Sequence, residues 1–186
     1  MTRVPFESLP QRVFLDSCTL QMMQDYGGQV WENEPISEND RIHSIPDGPA
    51  TIDALRRIFF VNQRAQWQFA LSANSLQEVV EKRDAGYLQW AHDVLDHWMT
   101  CLEESGPFSS KGQAVGAKLR TTSFDYLGKG DRRLLLDAVT MECDAFLTCD
   151  RKLAKNRRHI LAELAILVVT PIQHWHMLEP WARLYV

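Results

Sequence analysis

The chain has no Cys-x-x-Cys pair. Its four cysteines, Cys18, Cys101, Cys143 and Cys149, stand singly, so the spacing writes neither a zinc site nor a disulfide framework. They read as small buried hydrophobes in a reduced compartment. Long hydrophobic runs are lacking too. No run approaches the length of a membrane span, and the opening Met1-Thr-Arg-Val-Pro-Phe-Glu7 lacks the apolar stretch of a signal peptide. A cytoplasmic protein with no membrane partner is expected. An excess of basic charge is also missing. Twenty Lys and Arg against 24 Asp and Glu leave a formal net charge of -4, so any binding to nucleic acid must use a local patch. There is no Gly-x-x-x-x-Gly-Lys-Ser/Thr loop, which argues against a nucleoside triphosphatase of that type. No Ser/His/Asp or Cys/His arrangement stands out.

What is present suits one globular domain over residues 1–186, with its core at about 12–175. The chain is 45% hydrophobic and 24% charged, ordinary values for a packed domain. Short apolar runs recur between helical patterns. Arg12-Val-Phe-Leu-Asp16, Trp67–Ser72, Ala145–Thr148 and Ala165–Val169 read as strands buried on both faces. Helices are predicted from Ser17 to a stop at Gly27-Gly28, from Thr51 to about Gln66, from Ser75, over Tyr87–Leu102, from Asp131 to Cys143, over Arg151–Leu164, and after Pro171. Residues 28–50, rich in proline, read as a flexible surface insertion, either a substrate-side flap or a neutral loop. Residues 105–130 read as mostly loop, with a short turn of helix near Ala114–Leu119. The alternation predicts an α/β fold with a parallel sheet of four to five strands flanked by helices, and in such sheets ligands gather beyond the carboxyl ends of the strands.

Four acids fall near those ends. Asp16 follows the first strand, Glu78 follows the second, Asp131 opens the helix that feeds the third, and Asp150 follows the third. Each has a structural explanation alone. Ser75-x-x-Glu78 fits a capping box, Asp131 and Asp150 fit helix N-caps, and Asp16 fits a turn. Together they describe carboxylates gathered at one edge, which repel unless a cation lies among them. Oxygen donors of this kind suit Mg²⁺ or Mn²⁺, and such an ion supports phosphodiester hydrolysis.

The successive segments Val13-Phe-Leu-Asp16, Ser72-(x)5-Glu78, Asp131-(x)6-Ala138, Phe146-Leu-Thr148-Cys-Asp150 and Val168-Val-Thr-Pro171 resemble the motifs of the PIN domain over residues 12–175. The resemblance implies a parallel α/β fold and a metal-dependent ribonuclease. It makes Asp16, Glu78, Asp131 and Asp150 the catalytic and metal-holding quartet, with Ser17 and Thr148 supporting it. Many small members of that family are toxin halves of toxin–antitoxin pairs, so the implied partners are RNA and an antitoxin or other regulatory protein. The chain is longer than those small members, and Cys18 stands where a small polar residue is commoner.

Further residues carry weaker readings. Arg151, Lys152, Arg157 and Arg158 are either a solvated helix face or a phosphate-contacting patch beside the acids. Asp137, Asp144 and Glu81 read as solvated or turn residues. His174 and His176, two apart on a helix, do not face each other and do not suggest a metal site. The helix bearing Trp90 and Trp98, or the apolar tail, offers a surface for a homodimer. Two other functions stand beside ribonuclease: a catalytically silent PIN-like module that binds RNA or protein, and a phosphohydrolase with an aspartyl nucleophile. The last would call for Asp-x-Asp where the chain has Asp16-Ser17-Cys18.

Overall fold

The computed structural model describes residues 4–65, 67–80 and 110–184. The expected helix at 87–102, with Trp90, Trp98 and the nearby Glu81, lies outside them. Four strands are present: β1 (Arg12–Leu15), β2 (Gln68–Ala70), β3 (Ala145–Leu147) and β4 (Leu167–Val169). They form one all-parallel sheet in the order β2-β1-β3-β4. The α/β fold read from the sequence is the fold observed, and the strands sit where the apolar runs predicted them.

Strand register explains why these runs are apolar throughout. Phe14 pairs with Ala70 on one side and Phe146 on the other, and Phe146 pairs with Val168. These four residues share one face of the sheet, where the rings of Phe14 and Phe146 stack 5.3 Å apart. Their neighbours Val13, Leu15, Phe69, Leu147 and Val169 belong to a second cluster on the opposite face. Both faces are covered by helices, so polar side chains are confined to the strand starts, Arg12 in β1 and Gln68 in β2. A fully buried phenylalanine contributes about 1.5–3 kcal/mol.

The helices in chain order are α1 (Ser17–Asp25), α2 (Gly27–Trp31), α3 (Gly48–Ala65), α4 (Ala73–Val80), α5 (Ser110–Leu119), α6 (Lys129–Thr140), α7 (Arg151–Lys155), α8 (Arg157–Leu164) and α9 (Pro171–Ala182). Leu20, Met23, Val30, Leu55, Ile58 and Leu178 bring α1, α2, α3 and α9 onto one face of the sheet. Val115, Leu134, Leu135, Leu153 and Ile160 bring α5 to α8 onto the other. Thr170 and Gln173 form a capping box at the start of α9, with Pro171 at its first position.

Several boundaries differ from the sequence reading. The helix from Ser17 does stop before Gly27-Gly28, at Asp25, but the chain turns at Tyr26 and the glycines then open α2. Residues 28–50 are a surface loop only in part, at the largely exposed 32–40 and 45–47. They hold α2, a 3-10 turn at Arg41–Ser44 and the start of α3, with Val30 and Ile42 buried in the core. Helix α3 starts at Gly48, three residues before Thr51, where a side chain at 48 would meet the Ile42 carbonyl at 2.2 Å. Residues 110–119, read as mostly loop, form α5. The basic helix divides at Asn156 into α7 and α8. Among the described residues no helix is long and apolar enough to cross a membrane.

The order β2-β1-β3-β4 places the switch point at β1. The chain leaves β1 for β2 on one side, then crosses to β3 on the other. A crevice is expected there, outside the carboxyl ends.

Candidate functional site

Asp16 stands at that point. It follows β1 directly, it is only 3% exposed, and its backbone N–H donates to the Leu147 carbonyl of β3. It stands at the N-cap position of α1 without a side-chain cap bond; the backbone N–H of the adjacent Ser17 acts on its carboxyl. Thr148, fully buried, donates its hydroxyl to Asp16 Oδ2 at 2.5 Å. The Cys18 thiol donates to the same oxygen at 3.0 Å. Oδ2 is thus fixed from two sides, while Oδ1 has the Ser17 hydroxyl at 3.5 Å. Burial holds the Asp16 carboxyl above the usual carboxylate range; the bonds from Cys18 and Thr148 oppose that rise, and the charge of Asp131 adds to it.

Two of the other acids join Asp16 through short bridges, Asp150 by its backbone. Ser17 donates to Glu78 Oε2 at 3.0 Å. Asp150 donates its backbone N–H to Thr148 Oγ1 at 2.9 Å, and Thr148 in turn donates to Asp16. Asp131 is near enough for its charge to act on Asp16. These links place the four residues toward the carboxyl end of the sheet, Asp150 through its backbone.

The capping alternatives divide among them. Asp150 does cap α7, accepting from the Lys152 N–H at Oδ1, 2.6 Å away. Asp131 is not an N-cap; it is the third residue of α6, and its Oδ2 accepts from the Gly128 N–H at 3.0 Å. The box expected of Ser75 and Glu78 is absent. Helix α4 begins at Ala73, and Ser72 and Ser75 cap each other's N–H groups at 3.2 and 2.9 Å. Glu78 therefore lies in the second turn, with no capping duty.

Among the described residues no salt bridge reaches any of the four acids. Equally, no group of three or more His, Cys, Asp or Glu side chains among them is arranged to hold a metal ion. Asp131 and Asp150 each have one oxygen turned to a helix N–H.

The expected basic patch splits. Arg151 and Lys152 are exposed in the first turn of α7, beside Asp150. Past the break at Asn156, Arg157 lines a cavity of about 610 Å³ with Val4, Leu167 and Gln173 along β4. Arg158 is exposed on α8. His174 is buried in α9 with neither ring nitrogen bonded, whereas His176 is exposed.

Three contributors are not read from the sequence as part of this edge. Cys18, read as a small hydrophobe, bonds Asp16 and also accepts from the Cys149 N–H at 3.2 Å. Its position two residues after Asp16, on the first turn of α1, is the signal that points to it. Asn74 donates to Asp137 Oδ2 at 2.8 Å and ties α4 to α6. Gly130 packs against the Glu78 carboxylate. No family model, curated protein or solved structure matches the chain.

Proposed function

We propose that the protein is a metal-dependent endoribonuclease of the PIN type, acting through Asp16, Glu78, Asp131 and Asp150 with Mg²⁺ or Mn²⁺. One observation carries the reading. Asp16 is a buried carboxylate at the sheet's switch point, bridged to Glu78 by Ser17 and to the Asp150 backbone by Thr148, with Asp131 near enough for its charge to act on it and no cationic partner among the described residues. A buried charge without a counter-charge is costly, and a bound cation relieves that cost.

The donor set fits a hard divalent ion. Mg²⁺ is commonly held by one or two carboxylates and keeps several waters. Asp16 Oδ1 would bind directly, since Oδ2 is already held by Thr148 and Cys18. Glu78, Asp131 and Asp150 would bind directly or through water. Bound there, the ion supplies Lewis acidity and charge neutralisation toward a phosphodiester. Ser17 orients Glu78. Arg151 and Lys152, exposed beside Asp150, would contact backbone phosphates in a salt-dependent way. An antitoxin or other regulatory protein as partner follows from the resemblance to the PIN domain.

The carboxylate arrangement also favours a second reading. Asp131 and Asp150 each serve a helix terminus, as they would in a PIN-like module that binds RNA or protein without cutting it. Cleavage of end-labelled RNA separates the two. The ribonuclease cuts with Mn²⁺, stops with EDTA and loses activity in Asp16→Asn. If the parent and Asp16→Asn cut equally, with the same ion dependence, the proposal fails. Binding without cleavage supports the module.

A further inference from the structure

Gly130 is the second residue of α6. Among the described residues the positive backbone φ values belong to Asn33, Asp47, Glu142 and Ala165, and to no glycine. The backbone at 130 therefore does not call for glycine. In a helix, alanine is the better residue.

Space accounts for it instead. A Cβ at position 130 would lie 2.2 Å from Glu78 Oε1, 3.1 Å from Glu78 Cδ and 3.5 Å from Glu78 Oε2. Those are its three nearest neighbours, and all belong to one carboxylate. Glu78 fills the volume that any other residue's side chain would take. Ser17 holds the carboxylate from the α1 side, 3.0 Å from Oε2. The bond from Asn74, one turn earlier on α4, to Asp137 fixes the distance between α4 and α6. Glu78 also approaches the N-terminal turn of α6, where the helix dipole favours negative charge.

We infer that Gly130 is a positioning residue of the acidic edge: the missing side chain lets the Glu78 carboxylate rest on α6, within reach of Ser17 and hence of Asp16. A side chain at 130 drives Glu78 away while leaving the fold intact, because the displaced atoms are the far end of a flexible chain. The consequence for a cation rests on the function proposed above. The contact itself does not.

Two measurements on the full chain test this. The first is a cycle of thermal melts in EDTA with the parent, Gly130→Ala, Glu78→Ala and the double variant. Gly130→Ala should raise the melting temperature more in the Glu78→Ala background than in the parent, by roughly 2 °C or more. Additive shifts would remove the contact from consideration and overturn the inference. The second is Mn²⁺ binding by calorimetry. Gly130→Ala should weaken Kd about tenfold, and Gly130→Ala combined with Glu78→Asp, one methylene shorter, should recover part of that loss. Unchanged Mn²⁺ affinity in Gly130→Ala would also overturn the positioning role. If the parent binds no Mn²⁺ while the melts are non-additive, the contact stands and the metal-dependent function falls.

Discussion

The Thr148 hydroxyl and the Asp16 carboxylate, 132 residues apart in sequence, meet at 2.5 Å where β1 and β3 end side by side. The parallel pairing of Leu15 with Leu147 puts the residue after each on the same edge. Thr148 both donates to Asp16 and accepts from the Asp150 N–H, so one hydroxyl links two acids.

Thr148→Val tests that link at nearly constant shape. It removes a donor to a buried carboxylate and an acceptor for the Asp150 N–H. Hydrogen bonds to charged groups contribute about 1.5–3 kcal/mol, so a loss in that range is expected from the denaturation midpoint in urea. Thr148→Ser, which keeps the hydroxyl, should recover most of it. Mn²⁺ affinity should fall in Thr148→Val and return in Thr148→Ser.

Asp16 gives a prediction whose sign follows from burial. Unfolded, the carboxyl ionises near 3.8; folded, burial raises that value. The folded state then holds the proton more tightly. Its contribution to stability is complete below the unfolded value and is lost as pH rises through the folded one. In metal-free protein at neutral pH, Asp16→Asn should therefore melt at or above the parent temperature, by about 2–4 °C at most. Added Mn²⁺ should raise the melting temperature of the parent and leave the variant unmoved. A variant melting far below the parent would make the Asp16 charge a structural element, not a ligand.

His174 predicts an acid response of the opposite slope. Complete burial, with neither ring nitrogen bonded, lowers its pKa from 6.5 to about 4. The unfolded chain takes up a proton below 6.5 that the folded protein refuses until about 4. Stability is unaffected above that window and falls as pH drops through it, by roughly 3 kcal/mol at the lower end. His174→Leu has similar volume and no buried polar nitrogens. It should match or exceed the parent at neutral pH and lose this part of the acid sensitivity. Urea midpoints at several pH values between 4 and 7 make the comparison.

The strands were legible because burial on both sheet faces forces continuous apolar runs, and each run ends at an edge. Asp16 after Val13-Phe14-Leu15 and Asp150 after Phe146-Leu147-Thr148 carry that signal in adjacent residues. Helix starts were less legible. Ser72 and Ser75 are both good N-caps, and only the reciprocal bonds between them show that α4 begins before Ser75. Gly27-Gly28 read as a break, but burial of Val30 in the core makes a short helix worthwhile there. The roles of Cys18, Asn74 and Gly130 depend on contacts with Asp16, Asp137 and Glu78. Local composition carries the first weakly and the other two not at all.

Asp144 supplies the contrasting case, an acid at the other end of the same strand. Its Oδ2 accepts from the backbone N–H groups of Gln11 and Arg12, each at 2.9 Å. Its own N–H donates to the Arg12 carbonyl at 2.8 Å. These bonds join the N-terminal ends of β1 and β3, the edge opposite Asp16. Asp144→Ala frees two N–H groups that water can reach, so the loss should lie near 1–2 kcal/mol. Asp144→Asn keeps an acceptor oxygen and should lose about half as much. Neither change touches the carboxyl edge, so Mn²⁺ affinity and any RNA cleavage should equal the parent's under conditions where both variants are folded. Asp16→Asn should show the reverse pattern, stability kept and Mn²⁺ binding lost. If Asp144→Ala abolished Mn²⁺ binding in folded protein, the cation would not lie where the carboxyl ends of the strands converge.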